Sequence, residues 1–355
     1  MYCDFALVLA ERIMDQKTID TLKSAYGWNE VRFTPVQTGL INTTWKLETE
    51  RGMLLLQKIN TAVFQHPEQI DANLQLLHAY LQREAPGYLF TVPLKANNGS
   101  GLVSAGDGVY RVFDWVPGSH SVDVVSVPAQ AFEAAAQFGK FTALLDGFDA
   151  KRLHPSLPDF HNLELRYRQF MEAAGNGNAL RIGETAGLIR FLQSQNGIVE
   201  KFLAFIRRPE ARLRVTHHDT KISNVLFDEN DKGICVIDLD TVMPGYFLSD
   251  VGDMFRTYTC PVSEEEKDLD KVTVRKNILA AIREGYLRHM QPVLSSFELD
   301  HLYFGGEMLI YMQALRFLTD YLNNDIYYGS KYPGQNLVRA ANQCRLLQGF
   351  VEATR

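Results

Sequence analysis

The chain lacks the features that mark several large classes of protein. Its 355 residues include only four cysteines, which are widely spaced and form no C-x-x-C pair: Cys3, Cys235, Cys260 and Cys344. This spacing favours reduced thiols over a disulfide framework. Basic residues are not in excess either, since 36 Lys and Arg stand against 42 Asp and Glu, for a formal net charge of -6. We therefore expect no nucleic-acid partner bound through bulk positive charge.

Long apolar runs are also missing. No stretch approaches the roughly 18 consecutive apolar residues that a membrane-spanning helix needs. Near the start, Asp4 is followed by a short apolar run, F-A-L-V-L-A, which is too short and wrongly charged for a signal peptide. We expect a cytoplasmic protein without a membrane partner, and leave its oligomeric state open between a monomer and a weak dimer.

What the sequence does contain is the composition of a globular protein, 46% hydrophobic and 22% charged, on a chain long enough for two lobes. A helical pattern over 5–26 precedes strand patterns, and another helix runs from Pro67 to about residue 82. The strand patterns, marked by alternation and by β-branched and aromatic residues, cover 31–36, 43–49, 53–59, 90–94, 102–104 and 109–115.

Beyond Pro117 the pattern becomes mainly helical. Helices are predicted over about 128–145, 163–174, 184–207, 263–290, 297–322 and from 334 onward, with strands at 224–227 and 233–238. The layout predicts an α+β protein, with a small sheet-rich N-terminal lobe (1–116), a larger helical C-terminal lobe (117–355) and a ligand site in the cleft between them.

The segment H-H-D-T-K-I-S-N is the strongest chemical signal. Two histidines beside Asp219 suggest a metal cluster at first, but three consecutive side chains point in divergent directions, whereas zinc needs converging ligands. Phosphoryl transfer to an alcohol offers a better interpretation, because a carboxylate must accept the hydroxyl proton and a nearby amide oxygen can ligate Mg²⁺. Asp219 and Asn224 suit these two roles. His217 is predicted to be structural, donating to backbone carbonyls.

Two aspartates end the next predicted strand, in V-I-D-L-D. Asp238 is placed to hold Mg²⁺ on the phosphates of a nucleotide. Asp240 has two open interpretations, a share in positioning the metal or support from behind its ligands. Asp250 and Asp253 are predicted to cap the following helix and to brace the loop rather than to touch a ligand.

A glycine-containing loop precedes these residues in the N-terminal lobe. Its backbone can turn tightly and direct N–H groups at an anion. The loop residues predicted to bind nucleotide phosphates are Gly39, Leu40, Ile41, Asn42, Thr43 and Thr44. Lys58 follows on the partner strand and can reach phosphates as a point charge. An ordinary hairpin turn and an edge-strand lysine stay open as alternatives.

Together, H-H-D-T-K-I-S-N-V-L-F-D and V-I-D-L-D-T resemble the aminoglycoside phosphotransferase/choline kinase superfamily, which has a bilobal protein-kinase-like fold. His218 departs from the glycine usual at its position, which bears on the backbone angles of the loop. Within the superfamily, T-G-L-I-N-T-T-W, L-L-L-Q-K-I-N-T-A-V-F-Q-H-P, D-L-D-T-V-M-P-G and L-R-F-L-T-D-Y-L are similar to the N-acetylhexosamine 1-kinases. These pieces span most of the chain.

The resemblance implies ATP and Mg²⁺ as cofactors, with Asp219 as the catalytic base. It also implies an adenine-binding hinge and a sugar site formed by Arg316 with Tyr327 or Tyr328. The hinge residues are Phe113, Asp114, Trp115 and Val116. For Arg316, a helix-surface ion pair with Asp320 is the competing interpretation.

The activity expected is transfer of a phosphoryl group from ATP to the anomeric hydroxyl of N-acetylglucosamine or N-acetylgalactosamine. Another alcohol kinase of the superfamily, acting on homoserine, choline, a different sugar or an aminoglycoside, is the alternative. A nucleotide-binding regulator with degenerate catalysis is a third, disfavoured by the intact Asp219, Asn224 and Asp238.

Overall fold

Alternating apolar residues build a five-stranded antiparallel sheet near the start of the chain. The computed structural model describes residues 14–36, 41–106 and 108–355. It divides the chain into two units, Met1–Ser119 and His120–Arg355. In spatial order β1-β2-β3-β5-β4, the strands are β1 (Val31–Val36), β2 (Thr43–Thr49), β3 (Gly52–Ile59), β4 (Val103–Ala105) and β5 (Gly108–Asp114).

Register places the apolar residues of these strands on one face. Trp45 lies opposite Leu56, and Leu56 lies opposite Val112; all three are buried. Helix α1 (Gln16–Tyr26) contributes Leu22 and Tyr26 to the same core, and α2 (Pro67–Glu84) begins with the proline predicted to open it. The part of the first predicted helix before residue 14 lies outside the described residues.

The predicted strand over 90–94 is wrong. This segment is irregular, although the Leu94 N–H donates to the Val112 carbonyl at 2.7 Å, so its end follows β5 without forming a ladder. Alternation alone predicted a strand there, but a single hydrogen bond to its neighbour does not extend the sheet.

The C-terminal unit is mainly helical, and a close contact between two of its helices depends on glycine. Its helices are α3 (Pro128–Leu144), α4 (Leu163–Asn176), α5 (Ala179–Glu184), α6 (Ala186–Ser194), α7 (Gly197–Ile206), α8 (Phe247–Thr259), α9 (Lys276–Met290), α10 (Ser296–Asp300), α11 (Leu302–Leu322) and α12 (Gln335–Thr354). Helices α3 and α9 approach so closely that a Cβ at Gly139 would lie 2.6 Å from the Tyr286 carbonyl oxygen. The predicted α+β fold is confirmed.

Three predicted helices differ in extent. The one over 184–207 is broken at 195–196 into α6 and α7, the one over 297–322 is interrupted at His301, and the one over 263–290 begins only at Lys276. Helix α8 was not predicted. Its sequence, F-L-S-D-V-G-D-M-F-R-T-Y-T, combines a glycine with two aspartates, and burial rather than helix propensity stabilises it.

Short strands position the loops of the C-terminal unit. Strand β7 (Arg214–Thr216) pairs with β10 (Met243–Gly245). A second small sheet has the order β6 (His120–Ser121), β8 (Val225–Phe227), β9 (Gly233–Val236). The predicted strand signals at 224–227 and 233–238 are confirmed in this hairpin. In the part of the chain that the structure describes, no helix is long and apolar enough to cross a membrane.

Candidate functional site

The loop after β7 brings Asp219 and Asn224 into direct contact. Asn224 closes a 3-10 turn (Ile222–Asn224), and its side-chain amide donates to the backbone carbonyl of Asp219 at 2.8 Å and to its Oδ2 at 3.0 Å. Because the amide NH₂ is used in this way, Asn224 Oδ1 is left as the acceptor atom. The Asp219 carboxylate stays partly accessible, with 29% of its side chain exposed. A carboxylate and an amide oxygen thus share one short loop.

His217 supports the loop from behind, as predicted. Its Nε2 lies 3.0 Å from the Ile237 carbonyl oxygen, which can only accept, so Nε2 carries the proton. Its Nδ1 then accepts from the Asp219 N–H at 3.3 Å. Burial lowers the pKa of His217, which keeps the ring neutral in this arrangement. Phe138 packs against it edge-on, with ring centroids 5.1 Å apart.

Asp250 and Asp253 brace the same loop from α8. The Asp250 carboxylate accepts from the His217 N–H at 3.0 Å and from the His218 N–H at 2.8 Å, and Asp253 accepts from the Thr220 N–H at 2.9 Å. Burial raises the pKa of Asp250 to about 7. The predicted bracing role is confirmed, whereas the predicted capping role is wrong, because both aspartates lie within α8, which begins at Phe247.

His218 adopts the left-handed backbone conformation, with φ of 66°. Glycine reaches this region without strain, whereas a histidine there is uncommon, so the departure noted in the sequence has a backbone cost. Two hydrogen bonds offset it: Asp250 accepts from the His218 N–H, and the Thr216 hydroxyl lies 2.7 Å from His218 Nε2. The loop therefore keeps the geometry of a glycine loop while carrying an imidazole.

Lys221 is a residue that the sequence analysis missed. Its ammonium lies 2.8 Å from Asp219 Oδ2 and 3.9 Å from Asp238 Oδ2. Burial alone would favour the neutral acid of Asp219, but the Lys221 charge outweighs it and the pKa of Asp219 is lowered. The signal was present in the sequence, since the lysine stands two residues after Asp219 in the same loop.

Asp238 lies beyond the β8–β9 hairpin, beside Asn224. The Ile237 N–H donates to the Asn224 carbonyl at 2.9 Å and ties the two loops together. Asp238 has a left-handed backbone (φ 59°) and a 40% exposed side chain. Asp240 is buried in the next turn, whose Thr241 hydroxyl donates to the His217 carbonyl. Within the described ranges, no group of three or more His, Cys, Asp or Glu side chains converges on a metal position.

The predicted sugar-site residues lie together at the end of α11. The Arg316 guanidinium lies 5.9 Å from the ring centroid of Tyr327, 5.4 Å from that of Tyr328 and 5.3 Å from that of Phe160. Its Nη1 donates to Gln313, whose own amide donates to the Tyr328 hydroxyl at 3.2 Å. One cation is thus surrounded by three aromatic rings.

Asp320 does not form the ion pair with Arg316 that the helix spacing suggested. Instead, its carboxylate turns to the chain beyond α11 and accepts from the N–H groups of Tyr327 at 2.7 Å and Tyr328 at 2.9 Å. Asn336 adds a third donor at 3.0 Å. The side chain is 3% exposed, so Asp320 anchors the tyrosine-bearing segment from the protein interior.

Phe160 and His161 connect the arginine cluster to the Asp219 loop. The Phe160 ring stacks on His161 at 4.5 Å, and His161 Nδ1 lies 3.3 Å from His218 Nδ1. His218 is the residue directly before Asp219. Neither Phe160 nor His161 was predicted, and no sequence signal pointed to them, because 57 residues separate the two histidines.

Of the predicted phosphate-binding residues, Thr43 and Thr44 begin β2, Lys58 lies on β3, and Ile41 and Asn42 directly precede β2. Lys58 pairs with Thr43 on one side and Tyr110 on the other, so the edge-strand alternative is wrong. Asn42 accepts from the Asn60 N–H at 3.0 Å, Thr44 is buried on β2, and Ile41 is exposed. Gly39 and Leu40 lie outside the described residues.

The predicted hinge continues β5. Phe113 and Asp114 pair with Leu55 and Leu54 of β3, and the Trp115 N–H donates to the Met53 carbonyl at 3.4 Å. The Val116 carbonyl accepts from the Ser119 hydroxyl at 2.7 Å. The segment is therefore extended and anchored to the sheet.

Comparison with known proteins agrees with this architecture. A spectinomycin phosphotransferase in complex with ADP and spectinomycin is 12% identical, with a TM-score of 0.61 over 96% of this chain and 99% of that chain. A microcompartment-associated aminopropanol kinase is 17% identical, with a TM-score of 0.61 over 94% and 97%. A choline kinase from Streptococcus pneumoniae is 12% identical, with a TM-score of 0.52 over 91% and 95%. At such identities the likeness establishes the bilobal, protein-kinase-like fold alone.

A family model matches the sequence itself over residues 32–288, which is more than half of the chain. The matched span includes β1–β3, the Asp219 loop, Asp238 and the bracing aspartates of α8. The chain belongs to the phosphotransferase enzyme family (APH).

Proposed function

We propose that this protein is an ATP- and Mg²⁺-dependent kinase that phosphorylates the anomeric hydroxyl of an N-acetylhexosamine. The observation that carries the proposal is one contact chain within the C-terminal unit. It runs from Asp219 and the adjacent His218 through His161 and Phe160 to Arg316. An unbroken series of side-chain contacts thus links the proposed base to the proposed acceptor-binding cluster.

Asp219 acts as the base in this mechanism. Its carboxylate, kept ionised by Lys221, accepts the proton of the acceptor hydroxyl. The hydroxyl oxygen forms a bond to the γ-phosphorus while the bond from that phosphorus to the β,γ-bridging oxygen breaks. The electron pair of the broken bond leaves on ADP, and the products are the sugar 1-phosphate and ADP. The side-chain amide of Asn224 donates a hydrogen bond to Asp219 Oδ2 and so holds the carboxylate in position.

The oxygen donors of Asn224 and Asp238 suit Mg²⁺, which is often held by one or two protein carboxylates together with substrate phosphates. The Lys221 ammonium, 3.9 Å from Asp238 Oδ2, shows that a positive charge is accommodated beside this carboxylate. When bound there, Mg²⁺ supplies charge neutralisation for the phosphates. Asp240 and His217 support these ligands from behind.

We propose that the nucleotide binds to the N-terminal unit. Backbone N–H groups of the loop Gly39–Thr44 and the Lys58 ammonium would hold the phosphates, and the backbone of Phe113–Val116 would bind adenine. Lys58 suits this role because a central strand fixes its backbone on both sides. Packing against Gly108 restricts its aliphatic stem, since a Cβ there would lie 2.6 Å from Lys58 Cε.

The charge of the acceptor cluster favours a neutral sugar over choline or an aminoglycoside. A quaternary ammonium binds in a cage of aromatic faces, yet here the cation Arg316 already occupies the ring faces of Phe160, Tyr327 and Tyr328. Arg166 is close as well: burial and the charge of Arg316 lower its pKa. A guanidinium can donate to the carbonyl oxygen of an N-acetyl group, and tyrosine rings can stack on the apolar face of a sugar.

A coupled ADP-release assay tests the proposal. The purified chain with Mg-ATP is screened against N-acetylglucosamine, N-acetylgalactosamine, free hexoses, choline, homoserine and an aminoglycoside, and ³¹P NMR locates the new phosphate. We expect turnover on an N-acetylhexosamine and a phosphate on the anomeric oxygen. Strong turnover on choline or homoserine with none on sugars would overturn the substrate assignment. Stabilisation by Mg-ATP without turnover on any acceptor would favour a regulator.

A further inference from the structure

The histidine pair near Asp219 has a defined protonation pattern. The Thr216 hydroxyl lies 3.1 Å from the Met243 carbonyl oxygen, which accepts its single proton. His218 Nε2, 2.7 Å from the Thr216 oxygen, must then be the donor of that contact. His218 Nδ1 is left as an acceptor and takes the Nδ1–H of His161 at 3.3 Å. The remaining nitrogen, His161 Nε2, is therefore an acceptor.

The fold makes room for this pair. A Cβ at Gly245 on β10 would lie 2.5 Å from His218 Cε1, so the ring occupies space that only a glycine at that position leaves open. Burial lowers the pKa of His218 to about 3, and burial, aided by the positive charge of Arg316, places the pKa of His161 well below its usual range. Both rings are neutral at physiological pH, as the hydrogen-bond pattern requires.

His161 Nε2 lies at the border of the proposed acceptor surface. His161 is half-buried between Phe160, which stacks on it, and His218, and it feels the charge of Arg316. Among the residues that the structure describes, no hydrogen-bond partner of Nε2 is found. His161 Nε2, a neutral nitrogen that can accept a hydrogen bond, thus lies between the Asp219 loop and the aromatic rings around Arg316.

We infer that His161 is an acceptor-binding residue whose Nε2 accepts a hydrogen bond from a hydroxyl group of the sugar other than the one that is phosphorylated. The inference rests on the proposed function. His218 is the positioning residue, because it fixes which nitrogen of His161 carries the proton. A substrate that places a hydroxyl donor next to His161 Nε2 should bind more tightly than a substrate that places a cation or a methyl group there.

Two substitutions separate binding from support. In His161→Gln the side-chain oxygen can replace Nε2 as the acceptor, whereas in His161→Asn the shorter amide can only replace the Nδ1–H donor to His218. Steady-state kinetics are measured with Mg-ATP and N-acetylglucosamine, and with its 3-deoxy, 4-deoxy and 6-deoxy analogues. His289→Gln, a half-buried histidine at the end of α9, is the control.

We expect His161→Asn to raise the KM for N-acetylglucosamine about tenfold, the size of one good hydrogen bond, with the KM for ATP unchanged. His161→Gln should stay within about threefold of the wild type. One deoxy sugar should bind about tenfold more weakly to the wild type and suffer no further loss in His161→Asn.

Three outcomes overturn the inference while leaving the proposed function intact. They are an unchanged KM in His161→Asn, a loss in that variant that is equal for every deoxy sugar, and a loss in His161→Gln as large as in His161→Asn. Absence of wild-type turnover on all sugars overturns the proposed function itself, and the inference with it.

Discussion

The loop that carries Asp219 and the segment that carries Tyr327 are held in opposite ways. His217 and His218 are almost completely buried, and side chains of α8 and the β9–β10 connection form hydrogen bonds with the backbone of His217, His218 and Thr220. The segment after α11 instead exposes Ile326 by 82% and Tyr327 by 68%, and Asp320 and Asn336 anchor it from the interior.

This difference matches the two tasks that we propose. A proton acceptor must keep its position to a fraction of an ångström, and a buried, fully bonded loop provides that. A surface that selects an acceptor tolerates substitution, because exposed side chains change with little effect on folding. We therefore expect the position of the proposed base to be maintained rigidly in this protein. The specificity for the acceptor should be easier to change by substitution.

The largest effect should come from the buried loop. We expect Asp219→Asn to lower kcat about 100- to 10,000-fold, since the amide cannot take the hydroxyl proton. Mg-ATP should still raise the melting temperature of the variant, because we propose that other residues bind the nucleotide. ADP release and a thermal-shift titration measure the two quantities.

Asp300→Asn, an exposed substitution at the end of α10, controls for the loss of one negative charge. Retention of more than a few per cent of wild-type kcat by Asp219→Asn would show that another group is the base.

The next largest effect should come from replacing one anchoring aspartate by asparagine in each of the two compared regions. In Asp250→Asn and in Asp320→Asn, the new NH₂ group faces N–H donors that had been bound by the carboxylate. Each substitution should therefore lower the free energy of unfolding, measured with urea, by about 1–3 kcal/mol. Their kinetic effects should differ. Asp250→Asn should displace the Asp219 loop and lower kcat. Asp320→Asn should release the backbone of Tyr327 and Tyr328 and raise the KM for the acceptor about tenfold, with the KM for ATP unchanged.

Each variant of this pair is the control for the other. A rise in acceptor KM alone for Asp250→Asn, or a fall in kcat alone for Asp320→Asn, would contradict the division between a chemical loop and an acceptor segment.

The smallest effect concerns pH. The Lys221 charge holds the pKa of Asp219 below its ordinary value of 3.8, so the base stays ionised in mild acid. In Lys221→Met that pKa should rise, and the acid limb of kcat/KM should move to higher pH. Because the folded-state pKa is lowered, the ion pair stabilises the protein above pH 3.8, and that stabilisation is lost as pH falls through the folded value.

Lys232→Met is the matched control, since the exposed Lys232 of the β8–β9 hairpin forms an ion pair with Glu133 of α3, away from Asp219. An acid limb that moves equally in both variants would show that the net charge, and not the contact with Asp219, determines it.

Sequence patterns predicted the elements that depend on neighbouring residues. The hairpin of β2 and β3 and helix α2 follow from local periodicity and a helix-starting proline. The pairing of Asp219 with Asn224 follows from a spacing that one short turn can close. Helix α8 escaped prediction because its glycine and aspartates are poor helix formers, and burial of the helix compensates for them.

Chain order alone determined which polar groups could meet, since a carboxylate, an amide and a lysine within one short loop must lie near one another. Contacts between distant parts of the chain determined the rest. His161 reaches His218 across 57 residues, and Asp320 turns away from Arg316 toward the backbone of Tyr327 and Tyr328. Such contacts depend on how helices and strands pack, because packing brings together side chains that no local spacing relates.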